Sequence, residues 1–475
     1  MTRAVVVGGG ISGLAAARGL RRAGLDVVVC EAGTRWGGKL APVRVGDLVL
    51  DGGAESVLAR RPEAVTLLHA LGLEPWRVHP TGAGPRVLVE GRAQRLPPSL
   101  QGVPTDLPAL APLLTAEGAA YALAEPERPA PELAGDVTIG DYVDVRLGPE
   151  VTDRLLEPLL GGVYAGRSRR LSFEAVNPAL YAAARTGGSL TAHARALLSP
   201  STGRPVFAGL AGGVHGLVGA LLDDLAHAGA DLRTKAPVTA LEPRPDGAWT
   251  LQNSAGRLVA DAVVLSAPAA PTARLLAGLV PAADALERVP YASTAVVTLL
   301  VRGLAAAGSG LLVQPGGLPT VKALTYSSAK WAWVGRAARQ AYGDDVAVVR
   351  ASVGRAGEAA LLQVDDATLV ARSFAEATTL PGWAGASLAD AAVTRWGGAL
   401  PQYELGHRRL VDSLRSDLEG RPGLAVAGAV LDGLGIAACL ASAELAVAKV
   451  LGDLGAAAGL GHSDRIDRQQ HKEQK

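Results

Sequence analysis

Apolar runs of strand length punctuate this chain and are separated by stretches with helical periodicity. Ala4-Val5-Val6-Val7 is the first run, and Leu14-Ala15-Ala16-Ala17 opens an alanine-rich helical pattern behind it. Leu25-Asp26-Val27-Val28-Val29-Cys30 reads as a second strand. Residues 62–73 predict a helix ending at Gly72, and Val87 to Leu96 a hairpin turning at Glu90-Gly91. Prolines crowd residues 97–131 and predict short, broken helices. From Thr138 the pattern is helical, with an apolar stripe at Leu155, Leu156, Leu159 and Leu160. Phe207–Val214 precedes an amphipathic helix reaching about Ala228, then a strand leading to Val238 and a hairpin turning at Pro245-Asp246-Gly247. Ala262-Val263-Val264-Leu265 is apolar throughout, as strands of a parallel sheet covered on both faces are. Residues 271–412 alternate strand-like runs (Ala295–Arg302, Val346–Val353) with helical ones (Asp365–Glu376). A last strand over Gly423–Ala427 precedes a helix from Leu434 to about Leu451 and a polar tail.

The glycines between these elements carry the chemistry. Gly8, Gly10 and Gly13 keep G-x-G-x-x-G spacing between a strand and a helix. In that spacing the first glycine permits a tight turn, the second lets a pyrophosphate approach, and the third packs helix on strand. N–H groups at such a helix start bind phosphate. Glu31 lies eighteen residues after Gly13, near the roughly 20 at which an acid takes a ribose hydroxyl. Arg35-Trp36-Gly37-Gly38-Lys39 suits a loop against a diphosphate or ribityl chain, and a strand over Asp47–Asp51 enters Gly52-Gly53-Ala54-Glu55-Ser56. Arg60 and Arg61 follow, either a solvated corner or a bidentate grip on an anionic substrate. The C-terminal glycine turn at Gly428 and the helix start at Leu434-Gly435-Ile436 add positive dipole for a second part of the cofactor. A site assembled from separated segments predicts a long cofactor, FAD rather than NAD.

The predicted fold class is α/β. A Rossmann-like FAD-binding domain (1–78, 203–270 and 413–455) carries an α+β substrate domain (79–102 and 271–412) and an inserted helical domain (103–202), with a disordered tail at 456–475. A length of 475 residues is ample for such a division. Composition then removes alternatives. Lys and Arg (46) balance Asp and Glu (45), so no global field points to nucleic acid. Cys30 and Cys439 cannot make a disulfide framework and are expected to be buried thiols; no Cys/His spacing predicts a metal site. Gly423 to Leu451 contains Asp432 and Glu444 and fails as a membrane span. The first apolar run ends in glycines without a cleavage pattern, so it is not expected to be a signal peptide. A soluble, cytoplasmic protein is expected, and its abundant Ala, Gly and Arg fit a GC-rich bacterial genome.

Taken together, Gly8–Gly13, Glu31 and Arg35–Lys39 resemble the FAD superfamily that holds monoamine oxidases and phytoene desaturases. Four further segments resemble the porphyrinogen oxidases within it. Asp51–Ser56 is similar to the segment along the flavin ring, with Ala54 where proline is commoner. Leu159–Gly166 with Leu171-Ser172 resembles the helical-domain signature, and Trp396–Tyr403 with Gly406-His407 a late W…P-x-Y…G-H pattern. Ala427–Ile436 resembles the closing flavin motif but departs from it at Ala429, Val430 and Leu431. The likeness covers residues 3–452.

The resemblance implies oxidation of protoporphyrinogen IX or coproporphyrinogen III to the porphyrin in heme biosynthesis. FAD would take a hydride in each of three cycles, and dioxygen would reoxidise it to release hydrogen peroxide. Coproporphyrinogen III, with four propionates, is favoured by the Arg60-Arg61 pair and the absence of a span. Motifs and resemblance together give a cofactor set of Gly8, Gly10, Ile11, Ser12, Gly13, Glu31, Ala32, Arg35, Gly37, Gly38, Lys39, Gly53, Ala54, Glu55, Val238, Ala267, Gly428, Leu434, Gly435 and Ile436. Arg60, Arg61 and Tyr164 are the substrate candidates, and no catalytic residue or metal ligand is assigned. His407 is expected to be structural as readily as catalytic. Hand-over to a ferrochelatase and peripheral contact with a membrane complete the expected partners. The rivals are a flavin amine oxidase, with Lys322 or Lys330 beside the flavin, and a flavin-bearing scaffold that carries porphyrin without turnover.

Overall fold

The computed structural model describes residues 2–198 and 205–470, with side-chain surroundings through 455. Two sheets and a helical layer organise it. The first sheet is parallel, in the order Asp231–Arg233, Asp26–Cys30, Arg3–Val7, Ala262–Leu265, Leu424–Val426. Its alternate residues feed two cores. Ala4, Val6, Val27, Val29 and Val264 pack under the helices Ile11–Arg22, Gly216–His227 and Ile436–Gln470. Val5, Val7, Val28, Val263 and Leu265 pack against a three-stranded antiparallel meander and the helix His407–Glu419. Burial on both faces is why Ala4–Val7, Val27–Cys30, Ala262–Leu265 and Leu424–Val426 are apolar at every position.

The second sheet has seven strands, in the order Ser387–Pro401, Tyr291–Arg302, Val346–Val353, Val321–Thr325, Gly310–Val313, Pro85–Val89, Arg92–Arg95. Its final hairpin turns at Glu90 (φ 49) and Gly91 (φ 75), a left-handed pair that matches strand twist. The helical layer between residues 108 and 197 closes over this hairpin, with Leu110, Ile139, Leu156, Phe173 and Leu180 sharing one core with Val87 and Val89. Thr138, Ser172, Asn177 and Ser189 cap its helices by accepting backbone N–H bonds. The apolar stripe at 155–160 is one continuous run from Pro149 to Tyr164 with a wide π turn at Thr152–Leu156. Pro158, which has no N–H to donate, sits just beyond that turn.

One boundary differs from expectation. The last helix runs from Ile436 to Gln470, beyond the end expected near Leu451 and through much of the stretch expected to be a disordered tail. Residues 471–475 of that tail, and the expected helical-domain boundary at 202, lie outside the described residues.

Candidate active site

The site begins where the strand Arg3–Val7 ends. Gly8 has φ +110, and a Cβ there would stand 2.7 Å from the Ser266 carbonyl oxygen. A Cβ on Gly13 would collide with the Gly8 carbonyl oxygen, so this glycine sets how closely helix approaches turn. Gly10 is different: a Cβ there meets nothing within 4 Å and would project into a cavity of about 770 Å³, within the roughly 300–1,000 Å³ of small-molecule sites. Gly428 and Gly435, from the C-terminal turn, are open in the same way. The helix beginning at Ile11 has no side-chain cap, so its first N–H groups remain available at the cavity.

Glu31 is held in place by backbone. Its Oε2 accepts the Gly9 N–H at 2.7 Å and its Oε1 the Gly33 N–H at 2.6 Å. The Arg35–Lys39 loop is stitched alongside, with the Gly37 N–H donating to the Gly9 carbonyl at 2.8 Å. Lys39 Nζ crosses to donate to the Ala399 carbonyl at 2.5 Å, and burial pulls its pKa down. The far wall comes from the seven-stranded sheet as Trp396, Gly397, Gly398 and Ala399. Trp396 Nε1–H is fixed by the Gly52 carbonyl at 3.0 Å.

All members of the cofactor set line this cavity except Gly13, Arg35, Gly53 and Glu55. Arg35 is spent on the carbonyls of Trp36, Gly38 and Leu40 and buttresses the loop. Gly53 lies beneath the Lys39 carbonyl. Glu55 faces away, accepting from Lys330 Nζ at 2.5 Å and Arg350 Nη1 at 2.6 Å. Burial raises its pKa, but the two cations outweigh burial and hold it at about 2. Because that folded value lies below the ordinary 4.5, this group stabilises fully above about pH 4.5 and loses its contribution as pH falls towards 2. The thermal midpoint should therefore fall across that window, with a slope that Glu55→Gln flattens.

The substrate candidates do not converge on the cavity. Tyr164 is buried in the helical layer, edge-on to Tyr403 at 5.7 Å, and burial pushes its hydroxyl to about 12. Arg61 forks onto Glu63 at 2.7 Å and 3.2 Å on the surface. Arg60 is exposed and makes no ion pair among the described residues. His407 stacks on Tyr403 with centroids 4.1 Å apart, and burial lowers its pKa. Tyr403 in turn donates its hydroxyl to the Ala429 carbonyl at 2.5 Å, so this pair supports the cavity wall from behind. Lys322 is buried on the Gly354 carbonyl at 2.6 Å; neither it nor Lys330 lines the cavity. Cys30 and Cys439 are buried thiols.

Sequence reasoning missed Trp396–Ala399, Arg274, Tyr291 and Ser266 as lining residues. The glycine pair 397–398 was the available signal. Ser266 Oγ is buried without a partner, and such an orphan beside a Gly8 that admits no side chain suits a polar ligand in the cavity.

The sequence profile of the family described as flavin containing amine oxidoreductase matches residues 11–451. The chain belongs to that family. This flavin oxidoreductase is 38% identical over 456 residues to a coproporphyrinogen III oxidase of Mycobacterium tuberculosis, covering 94% of the chain and 96% of the relative. It is 30% identical to the protoporphyrinogen oxidase of Homo sapiens, covering 94% and 98%. A solved structure of a provisionally named protoporphyrinogen oxidase from Exiguobacterium sp. 255-15 superposes with a TM-score of 0.82 at 30% identity, covering 96% and 99%. The enzyme is thus an FAD-dependent oxidoreductase, and open glycines, a backbone-held acid and uncapped helix N–H groups are what an FAD cradle requires.

Proposed function

We propose that this flavoenzyme oxidises a porphyrinogen to the porphyrin in heme biosynthesis, with coproporphyrinogen III favoured and protoporphyrinogen IX the alternative. The reading rests on 38% identity that runs almost the full length of both this chain and the mycobacterial coproporphyrinogen III oxidase. When bound, FAD supplies the hydride acceptor, used three times per porphyrin, with dioxygen as the terminal acceptor and hydrogen peroxide released. The chain's own residues bind, orient and shield. The N–H groups from Ile11 onward hold the pyrophosphate. Glu31, with each oxygen already fixed by one backbone N–H, offers its remaining lone pairs to ribose hydroxyls. Lys39 ties the Ala399 wall to the loop below it, so the two sides of the cleft keep one spacing and exclude water. The helix start at Ile436, at the cavity and with no acidic residue in its first turn, would offer positive dipole to a reduced flavin.

Neither arginine lines the cavity, and of the two Arg60 is the better candidate for a substrate carboxylate, because Arg61 is committed to Glu63. Loss of one charge-assisted contact costs about 1.5–3 kcal/mol, so Arg60→Ala should raise KM for coproporphyrinogen III about tenfold or more. Arg61→Ala should change KM by less than about threefold; equal effects from both would remove the assignment. Transfer of product to a ferrochelatase and contact with a membrane surface belong to the same reading. Among the described residues no helix is long and apolar enough to cross a membrane. Initial rates in air with the two porphyrinogens test the substrate. A higher kcat/KM for coproporphyrinogen III is expected, and equal or reversed preference overturns that choice.

A further inference from the structure

The Glu55–Lys330–Arg350 group stands behind the cavity wall and has no part in the chemistry above. Its charges do not balance. One carboxylate faces two cations, with side chains only 14%, 23% and 9% exposed for Glu55, Lys330 and Arg350. Arg350 also donates from Nη2 to the Gly53 carbonyl at 2.5 Å, and its Nε–H is buried with no partner. Lys330 and Arg350 are the charges that pull the Glu55 carboxyl down. A net single positive charge is therefore held in a poorly screened place.

The place matters because of the segment in front of it. Ala54 and Ser56 line the cavity, while Glu55 between them turns its side chain to the cations. Arg350 also fixes the peptide that links Gly53 to Ala54. In a planar trans peptide the N–H lies opposite the carbonyl, so the Ala54 N–H points away from Arg350. No group among the described residues accepts it. Adding electrons to a ring on the cavity side of this segment is favoured by positive charge and a free donor behind and within the wall.

We propose that Lys330 and Arg350 are positioning residues that raise the reduction potential of the bound flavin, with Glu55 as a partial counter-charge that keeps both in place. This rests on FAD in the cavity and is independent of which substrate the enzyme oxidises. The test is the two-electron midpoint potential of purified holoenzyme by dye equilibration, with FAD content checked by absorbance. Lys330→Met, which removes one charge, should lower the potential by at least about 30 mV, a tenfold change in the equilibrium for a two-electron couple. Lys330→Arg, which keeps the charge, should stay near the parent value. Glu55→Gln, which adds one net positive charge, should raise it. Opposite signs are the signature, since a merely loosened wall would move both variants the same way. Same-sign shifts, or unchanged potentials in FAD-loaded protein, overturn the proposal. If either charge-changing variant fails to retain FAD, the sign of the other decides against the parent and Lys330→Arg.

Discussion

Gly10→Val protein should purify folded and without flavin. Gly10 adopts φ −76 and ψ 178, which any residue tolerates, and a Cβ there touches no protein atom. The branched side chain would instead occupy the approach reserved for a pyrophosphate. FAD affinity should fall at least about a hundredfold, roughly 3 kcal/mol, while the thermal midpoint stays near that of flavin-stripped parent protein. Gly13→Ala provides the contrast. Its methyl would run into the Gly8 carbonyl, so flavin and fold stability should be lost together. Flavin absorbance and thermal unfolding measured on both variants decide the matter. A yellow Gly10→Val protein would remove the first glycine turn from the cofactor site.

Arg146→Met should produce the largest loss of stability, in the helical layer. Arg146 and Glu125 have fully buried side chains and are bonded to each other through Nε at 3.0 Å and through Nη2. The remaining carboxylate capacity is filled by the Leu190 N–H at 2.7 Å and Ser189 Oγ at 2.6 Å. Arg146 donates further to the carbonyls of Arg128 at 2.7 Å and Gly188 at 2.9 Å. Methionine would leave Glu125 as a buried, unpaired charge, which costs about 3–5 kcal/mol. Hydrogen exchange should accelerate across residues 116–197, and adding Glu125→Gln should recover part of the loss. A cost below about 1 kcal/mol would show the pair to be dispensable.

The parallel sheet was legible because strands buried on both faces need no alternation: the apolar runs at 4–7, 27–30, 262–265 and 424–426 declare themselves. The glycine turns were legible for a related reason, since each serves a backbone approach that no other residue permits. Long-range partners were not. Glu55 looked like a cofactor ligand beside Ala54, yet its cations lie 275 and 295 residues away, and spacing carries no trace of them. Trp396–Ala399 belong to a fifteen-residue strand at the edge of its sheet, where exposure makes the pattern polar and glycine-rich. Tyr164 follows two glycines and resembled a pocket residue, but its ring is buried in the helical-layer core against Tyr403, which comes from a segment nearly 240 residues away. The Arg61–Glu63 fork is local and was readable from a basic and an acidic residue two positions apart.

The account stands on electrons passing from a porphyrinogen to the flavin in this cavity. Anaerobic mixing of the holoenzyme with coproporphyrinogen III, followed through the flavin absorbance, tests that step alone. The visible flavin band should bleach while porphyrin fluorescence appears, and it should persist on mixing with amines. A flavin that stays oxidised with both coproporphyrinogen III and protoporphyrinogen IX, or one that bleaches with an amine instead, would contradict it.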